Sequence, residues 1–176
     1  ADAQYYMGVA SIAGGEVASD FVQAAQWFSK AAEQGHAKAQ RQLAILYYKG
    51  NGVEANDQQA FIWASKAGAQ GDAEALTLLG TLNFRGKGTP ANPQNAVKLL
   101  TQAANAGDGL AFEMLGAANL HGTGIPKDVP TALRWYTRAA EQGRGNAQYV
   151  LGYLYSNGGD VPVNYPLANH WLLQAA

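Results

Sequence analysis

The chain has 176 residues, of which 48% are apolar and 14% charged, with a formal net charge of −1 at pH 7. That balance supports a folded core rather than disorder, and near-neutrality gives no reason to expect a nucleic-acid partner. No 18-residue apolar run and no signal-peptide pattern appear, so no membrane span is expected, and the absence of cysteine leaves the redox compartment open.

Residues 27–36, WFSKAAEQGH, return as WASKAGAQGD at 63–72 and as WYTRAAEQGR at 135–144. The starts are one and then two steps of 36 residues apart, the mark of a repeat architecture. Counted from residue 1, five copies fit without insertion or deletion: 1–36, 37–72, 73–108, 109–144 and 145–176. The uninterrupted register is read as one continuous domain.

In chain order, each copy predicts two helices. The first copy has a helix over about positions 3–13, ended by Gly14, then Asp20 as N-cap and a second helix carrying Ala24, Trp27 and Ala31 before Gly35. The second copy places Leu43, Leu46 and Tyr47 at helical spacing, stops at Gly50, passes through GNGVEAN and restarts after Asn56 with Trp63. The third stops at Gly86, reads GKGTPAN and restarts at Asn92–Pro93, with Leu99 where the other copies have tryptophan. The fourth stops at Gly122, reads GTGIPKD and restarts after Asp128 with Pro130 and Trp135. The fifth stops at Gly158 and restarts after Asn164 with Pro166 and Trp171. Glycine ends a helix cheaply in the left-handed conformation, Asp and Asn cap the first turn, and proline is tolerated there. Positions 3, 24 and 31 are alanine in every copy, and position 8 is Gly8, Ala44, Gly80, Gly116 or Gly152. Small residues inside a helix, where glycine costs about 1 kcal/mol against alanine, predict close approach of helix backbones. Trp27, Trp63, Trp135 and Trp171 share the Ala24–Ala31 stripe and are expected in the core.

The unit resembles the Sel-one-like repeat (SLR), a relative of the tetratricopeptide repeat. Copy 2 carries the pattern through Ala39, Leu43, Tyr47, Gly50, Gly52, Val53, Asn56, Ala60, Trp63, Ala67 and Gly71. Local departures are Glu16 and Asp160 in place of the loop's second glycine, and Gly68 in place of an alanine. The resemblance implies an all-α fold, a right-handed αα-solenoid of five helix–turn–helix repeats. It also implies a non-enzymatic adaptor or scaffold for a protein or peptide partner, in bacteria and often in the cell envelope, with a periplasmic or secreted setting. A narrower form is a periplasmic immunity protein that neutralises a secreted toxin. The competing class is a small-molecule-binding or enzymatic solenoid.

The residues themselves offer little chemistry. His36, His121 and His170 show no metal-ligand spacing, so neither a metal nor a cofactor is expected. GKGT at 86–89 lacks the P-loop's first glycine, where Thr81 stands, and no GxSxG occurs. No catalytic residue is assigned.

Positions that vary between copies are candidates for binding. By analogy with the tetratricopeptide fold, positions 2, 5, 9, 12 and 13 of each first helix line the concave face. The partner-binding candidates are Arg41, Tyr48, Lys49, Thr77, Arg85, Glu113, His121, Tyr149 and Tyr153. Arg41 is expected at the surface. At position 29 four copies carry Ser29, Ser65, Thr101 and Thr137, whereas the last has Leu173, beside Leu172. An apolar residue in that place predicts a covered C-terminal helix, and a mostly monomeric protein with weak end-to-end association.

Overall fold

The structure is a computed structural model that describes residues 1–13 and 20–176. Gly14 and Glu16, which the sequence reading uses, lie outside the described residues. Ten helices are present among the described residues, and no strand. They are α1 (Asp2–Ala13), α2 (Phe21–Glu33), α3 (Ala37–Lys49), α4 (Asp57–Ala69), α5 (Ala73–Arg85), α6 (Pro93–Asn105), α7 (Gly109–His121), α8 (Val129–Glu141), α9 (Gly145–Asn157) and α10 (Tyr165–Ala175). Helices α2 to α9 are each 13 residues long, so the period of the sequence is kept in the backbone. The chain forms two compact units, Ala1–Asn92 and Pro93–Ala176. The first holds α1 to α5 and the second α6 to α10. Within each, successive antiparallel helices pack on one another, as an αα solenoid requires.

The helices begin where the caps dictate. Side chains of Asp20, Asn56, Asp128 and Asn164 accept from the N–H of Gln23, Gln59, Thr131 and Leu167. A second cap row stands at position 36. There His36, Asp72 and Asp108 accept from the N–H of Ala39, Ala75 and Ala111 and start α3, α5 and α7. Gly50, Gly86 and Gly122 close α3, α5 and α7 in the left-handed conformation, with φ of 71°, 65° and 72°. Each loop then returns to its own helix. The N–H of Asp20, Asn56, Asn92, Asp128 and Asn164 donates to the carbonyl of Ser11, Tyr47, Asn83, Asn119 and Tyr155. One backbone hydrogen bond thus joins positions 20 and 11 in all five copies. The fifth loop still differs. Gly158 has ψ −151°, and Asp160, in the place of the loop's second glycine, accepts from Lys127 at 2.6 Å.

The core is built from the alanine rows. Ala24, Ala31, Ala60, Ala67, Ala96, Ala103, Ala132 and Ala139 are all 0% exposed. In copies 1, 3 and 4 the enclosed large side chain on the second helix is at position 28, one residue beyond the tryptophan position. Phe28 is 0% exposed and Tyr136 4%, whereas Trp27, Trp63 and Trp135 are half-buried and only Trp171 is buried. A step of about 100° along a helix separates the two positions. Position 28 points at the first helix of its own copy, while position 27 lies on the flank. This also explains the small residue at position 8. A Cβ added to Gly8 would stand 2.6 Å from the Phe28 ring, and one added to Gly116 2.9 Å from the Tyr136 ring. A ring, not a helix backbone, comes close there. Copy 2 uses a different pair, Ala44 with Ala64, and both are fully buried.

Candidate functional site

The first helices carry the candidate residues, and the structure sorts them into enclosed and displayed. In the first unit, Arg41 of α3 is not a free surface residue. Its side chain is 13% exposed, with Nη1 2.8 Å from Glu74 and 3.3 Å from Asp72. Its Nε is buried without a hydrogen-bond partner. Position 5 faces the start of the next copy's first helix, so the guanidinium meets the cap residue of α5 rather than solvent. Thr77, at the same position on α5, is buried.

The displayed residues of the first unit gather at the C-terminal ends of α3 and α5. Arg85 donates from Nη1 to the Tyr48 hydroxyl at 2.9 Å. Lys87 Nζ stands 5.2 Å from the centroid of the Tyr48 ring and 3.3 Å from Asp57. Lys49 and Arg85 are exposed. Cations at helix C-termini are favoured by the helix dipole, which accounts for part of this placement.

In the second unit, Glu113 of α7 is buried. Its carboxylate accepts from Arg144 Nε and, at 3.0 Å, from Asn146 Nδ2. It therefore holds α7 to the start of α9 and is not offered to a ligand. His121 is exposed at the end of α7. Tyr149 and Tyr153 of α9 are 56% and 54% exposed, their ring centroids 6.5 Å apart. Tyr136 faces Gly116, and its hydroxyl is pushed up to about 12 by burial and then by the charge of Glu113. Asp128 is held below the usual carboxylate range by the hydroxyl and N–H of Thr131.

The structure therefore brings together Tyr48 with Arg85, and Tyr149 with Tyr153. It turns Arg41, Thr77 and Glu113 inward. Sequence reading passed over Asp72 and Arg144, the partners of Arg41 and Glu113. A signal existed: positions 5 and 36 change together, as Tyr5/His36, Arg41/Asp72 and Glu113/Arg144. The Tyr5 and His36 rings are stacked at 4.7 Å. Among the described residues, no group of three or more His, Asp or Glu side chains could hold a metal ion. No helix among them is long and apolar enough to cross a membrane.

Capped helix pairs repeated every 36 residues, with a loop closed by one recurrent hydrogen bond, define an all-α solenoid of short repeats. The chain belongs to the Sel1 repeat family, whose model matches residues 1–36, 37–72, 73–108, 113–143 and 145–176. Sel1 repeat proteins are generally protein-interaction scaffolds and typically not enzymes. Three solved structures set the fold in context. A Sel1 repeat protein from Oxalobacter formigenes is 35% identical with a TM-score of 0.90, over 99% of this chain and 69% of that one. A protective antigen present in uropathogenic Escherichia coli strains, which displays an SLR fold, is 34% identical with a TM-score of 0.88, over 99% of this chain and 37% of that one. An immunity protein from Pseudomonas aeruginosa is 27% identical with a TM-score of 0.69, over 99% of this chain and 64% of that one. This chain thus spans little more than a third of the second structure's length and under two thirds of the third's. No curated protein matches it.

Proposed function

We propose that this chain is a non-enzymatic adaptor that holds a protein segment against the displayed face of its first helices. The observation that carries this reading is a division of labour within one repeat. Positions 3, 24 and 31 keep the same alanine in every copy, while position 13 reads Lys49, Arg85, His121 and Asn157 in successive copies and is exposed in all four. Packing demands the first set. The second is free to differ, and it carries Arg85, of a kind enriched at binding hot spots. In the first unit, Tyr48 and Arg85 orient one another before any partner arrives, which lowers the ordering cost of binding.

A second reading is favoured by likeness to two immunity proteins from Pseudomonas aeruginosa, 27% and 26% identical over 99% of this chain. Under it, the bound segment belongs to a toxin of the same bacterium. Photo-crosslinking tests the shared claim. A photoreactive residue at Lys49 or Tyr153 is expected to capture a discrete protein from an extract of the source cells, while one at Lys98 on α6 captures none. Equal capture from all three positions would remove the first-helix face as the site.

A further inference from the structure

The repeat supplies its own controls, and the fourth copy departs from them on its second-helix side. In copies 1, 2 and 5, position 4 is glutamine, and in copy 3 it is Leu76. Gln40 Nε2 donates to the carbonyl of Ala32 at 3.0 Å, and Gln148 Nε2 to that of Ala140 at 3.1 Å. In copy 4 the same position is Phe112, buried, with its ring stacked on Trp135 at 5.7 Å. Gln142 shows the consequence. Its counterparts Gln34 and Gln70 donate to Gln4 and Gln40, but Gln142 turns to the carbonyl of Gly107 at 3.0 Å.

Two open clefts flank the resulting ridge. One, of about 650 Å³, is lined by Leu133, Trp135, Thr137 and Tyr155 together with Arg134 and Arg138. The other, of about 410 Å³, lies between Ala104, Gly107 and Phe112. Arg138 and Glu141 line both. Arg138 sits with its guanidinium carbon 5.5 Å from the centroids of both Phe112 and Trp135. A guanidinium attracted to aromatic rings can still offer its hydrogen-bonding edge to a carboxylate. Arg134, four residues earlier on α8, is also exposed, and among the described residues neither arginine forms an ion pair. Asp128 senses Arg134 only as the least of its influences. Like charges four apart on a helix are mildly destabilising. Copies 1 and 2 have a single lysine on the equivalent tryptophan, Lys30 over Trp27 and Lys66 over Trp63, preceded by Gln26 and Ile62. Packing therefore does not call for the arginine pair.

We infer that the Arg134–Arg138 ridge of α8 is a second docking site, for an extended acidic peptide segment of a protein partner. The segment's carboxylates meet the two guanidinium edges, and its apolar side chains enter the clefts on either side. Charge selects the acid, because among the described residues Glu141 is the single carboxylate lining the clefts, beside two arginines that form no ion pair. An extended chain suits two clefts that share Arg138 and Glu141, where a small molecule would fill only one. This site is independent of the first-helix face and stands or falls without it.

The test is a blocked peptide with paired aspartates flanked by leucines, set beside its asparagine counterpart. Binding to the full chain is read by fluorescence anisotropy and by NMR of the Trp135 indole N–H and the Arg134 and Arg138 Nε–H. A charge-assisted hydrogen bond is stronger than a neutral one by enough to make the aspartate peptide bind about ten-fold tighter. The shifts are expected at those three side chains, and R134Q/R138Q is expected to erase the preference. Both arginines are exposed, so the double variant should keep the parent's thermal midpoint, and K30Q should bind as the parent does. Equal affinity for the two peptides, no binding at millimolar peptide, a preference that survives R134Q/R138Q, or succinate binding as tightly as the peptide would each overturn the inference.

Discussion

Glu113 and Arg144 make the same contact as Arg41 and Asp72, with the charges exchanged. Both pairs are 31 residues apart and join position 5 of one copy to the cap position of the next first helix. The two members of the second pair are unequally enclosed. The side chain of Glu113 is 9% exposed and that of Arg144 38%. Removing the arginine strands a buried carboxylate with Asn146 alone, while removing the glutamate lets the arginine turn to water. Arg144→Ala is therefore expected to lose about 1–3 kcal/mol in urea unfolding. Glu113→Ala should lose less, and the double variant should recover part of the Arg144→Ala loss. Equal losses in both single variants would contradict this assignment.

Arg41→Ala should also exceed the ordinary range for a surface change. It leaves Asp72, whose side chain is 9% exposed, without its cation. The expected loss is about 1–2 kcal/mol, against about 0.5 for a free surface arginine. Chemical denaturation of Arg41→Ala beside Lys38→Ala, an exposed neighbour on α3, gives the comparison.

Two left-handed glycines separate conformational strain from steric contact. Gly52 has φ 69°, and a Cβ there would stand 2.1 Å from the carbonyl oxygen of Phe21; Gly71 has φ 85° and open space around it. Gly71→Ala should cost only the left-handed penalty of about 1–2 kcal/mol. Gly52→Ala adds a backbone collision and should lower the thermal midpoint clearly further. Similar midpoints would mean that the loop yields without loss.

Phe28→Ala is expected to be more damaging than Trp27→Ala, although tryptophan is the larger side chain. Phe28 is fully enclosed, and its removal opens a cavity beside Gly8, for a loss of about 3–5 kcal/mol. Trp27 is half-buried beneath Lys30, whose Nζ stands 4.6 Å from the ring centroid. Thermal unfolding of the two variants side by side decides the order.

Burial raises the Tyr136 hydroxyl to about 12 from its ordinary value of 10.0. The unfolded chain therefore releases that proton first. The stability linked to Tyr136 is whole below pH 10 and is lost as pH rises towards 12. Tyr136→Phe removes this contribution, so its unfolding midpoint should fall less steeply over that window than the parent's. Parallel decline in the two proteins would assign the alkaline loss to other groups.

The repeat register, the helix ends and the loops were legible because each rests on a local rule: a glycine at a left-handed stop, or an Asp or Asn at a cap. The enclosed aromatic position was not. Position 27 repeats one conspicuous residue, while position 28 reads Phe28, Ala64, Leu100, Tyr136 and Leu172. Its size is matched to position 8 of the same copy, as Phe28 is to Gly8, so the constraint belongs to a pair and disappears when either column is read alone. The candidate site divided in the same way. Lys49 and Arg85 are displayed as expected, whereas Thr77 is buried and Arg41 and Glu113 each pair with position 36 of their own copy, 31 residues away, a contact that spacing along one helix does not reveal.

The most direct measurement is the affinity of the double variant K49E/R85E for the protein that the parent chain captures through its first-helix face, made beside the thermal midpoint of the variant. Both residues are exposed, so the midpoint should stay within a few degrees of the parent's while affinity falls by about ten-fold or more. Unchanged affinity with an unchanged midpoint would contradict the account and move the interaction off that face.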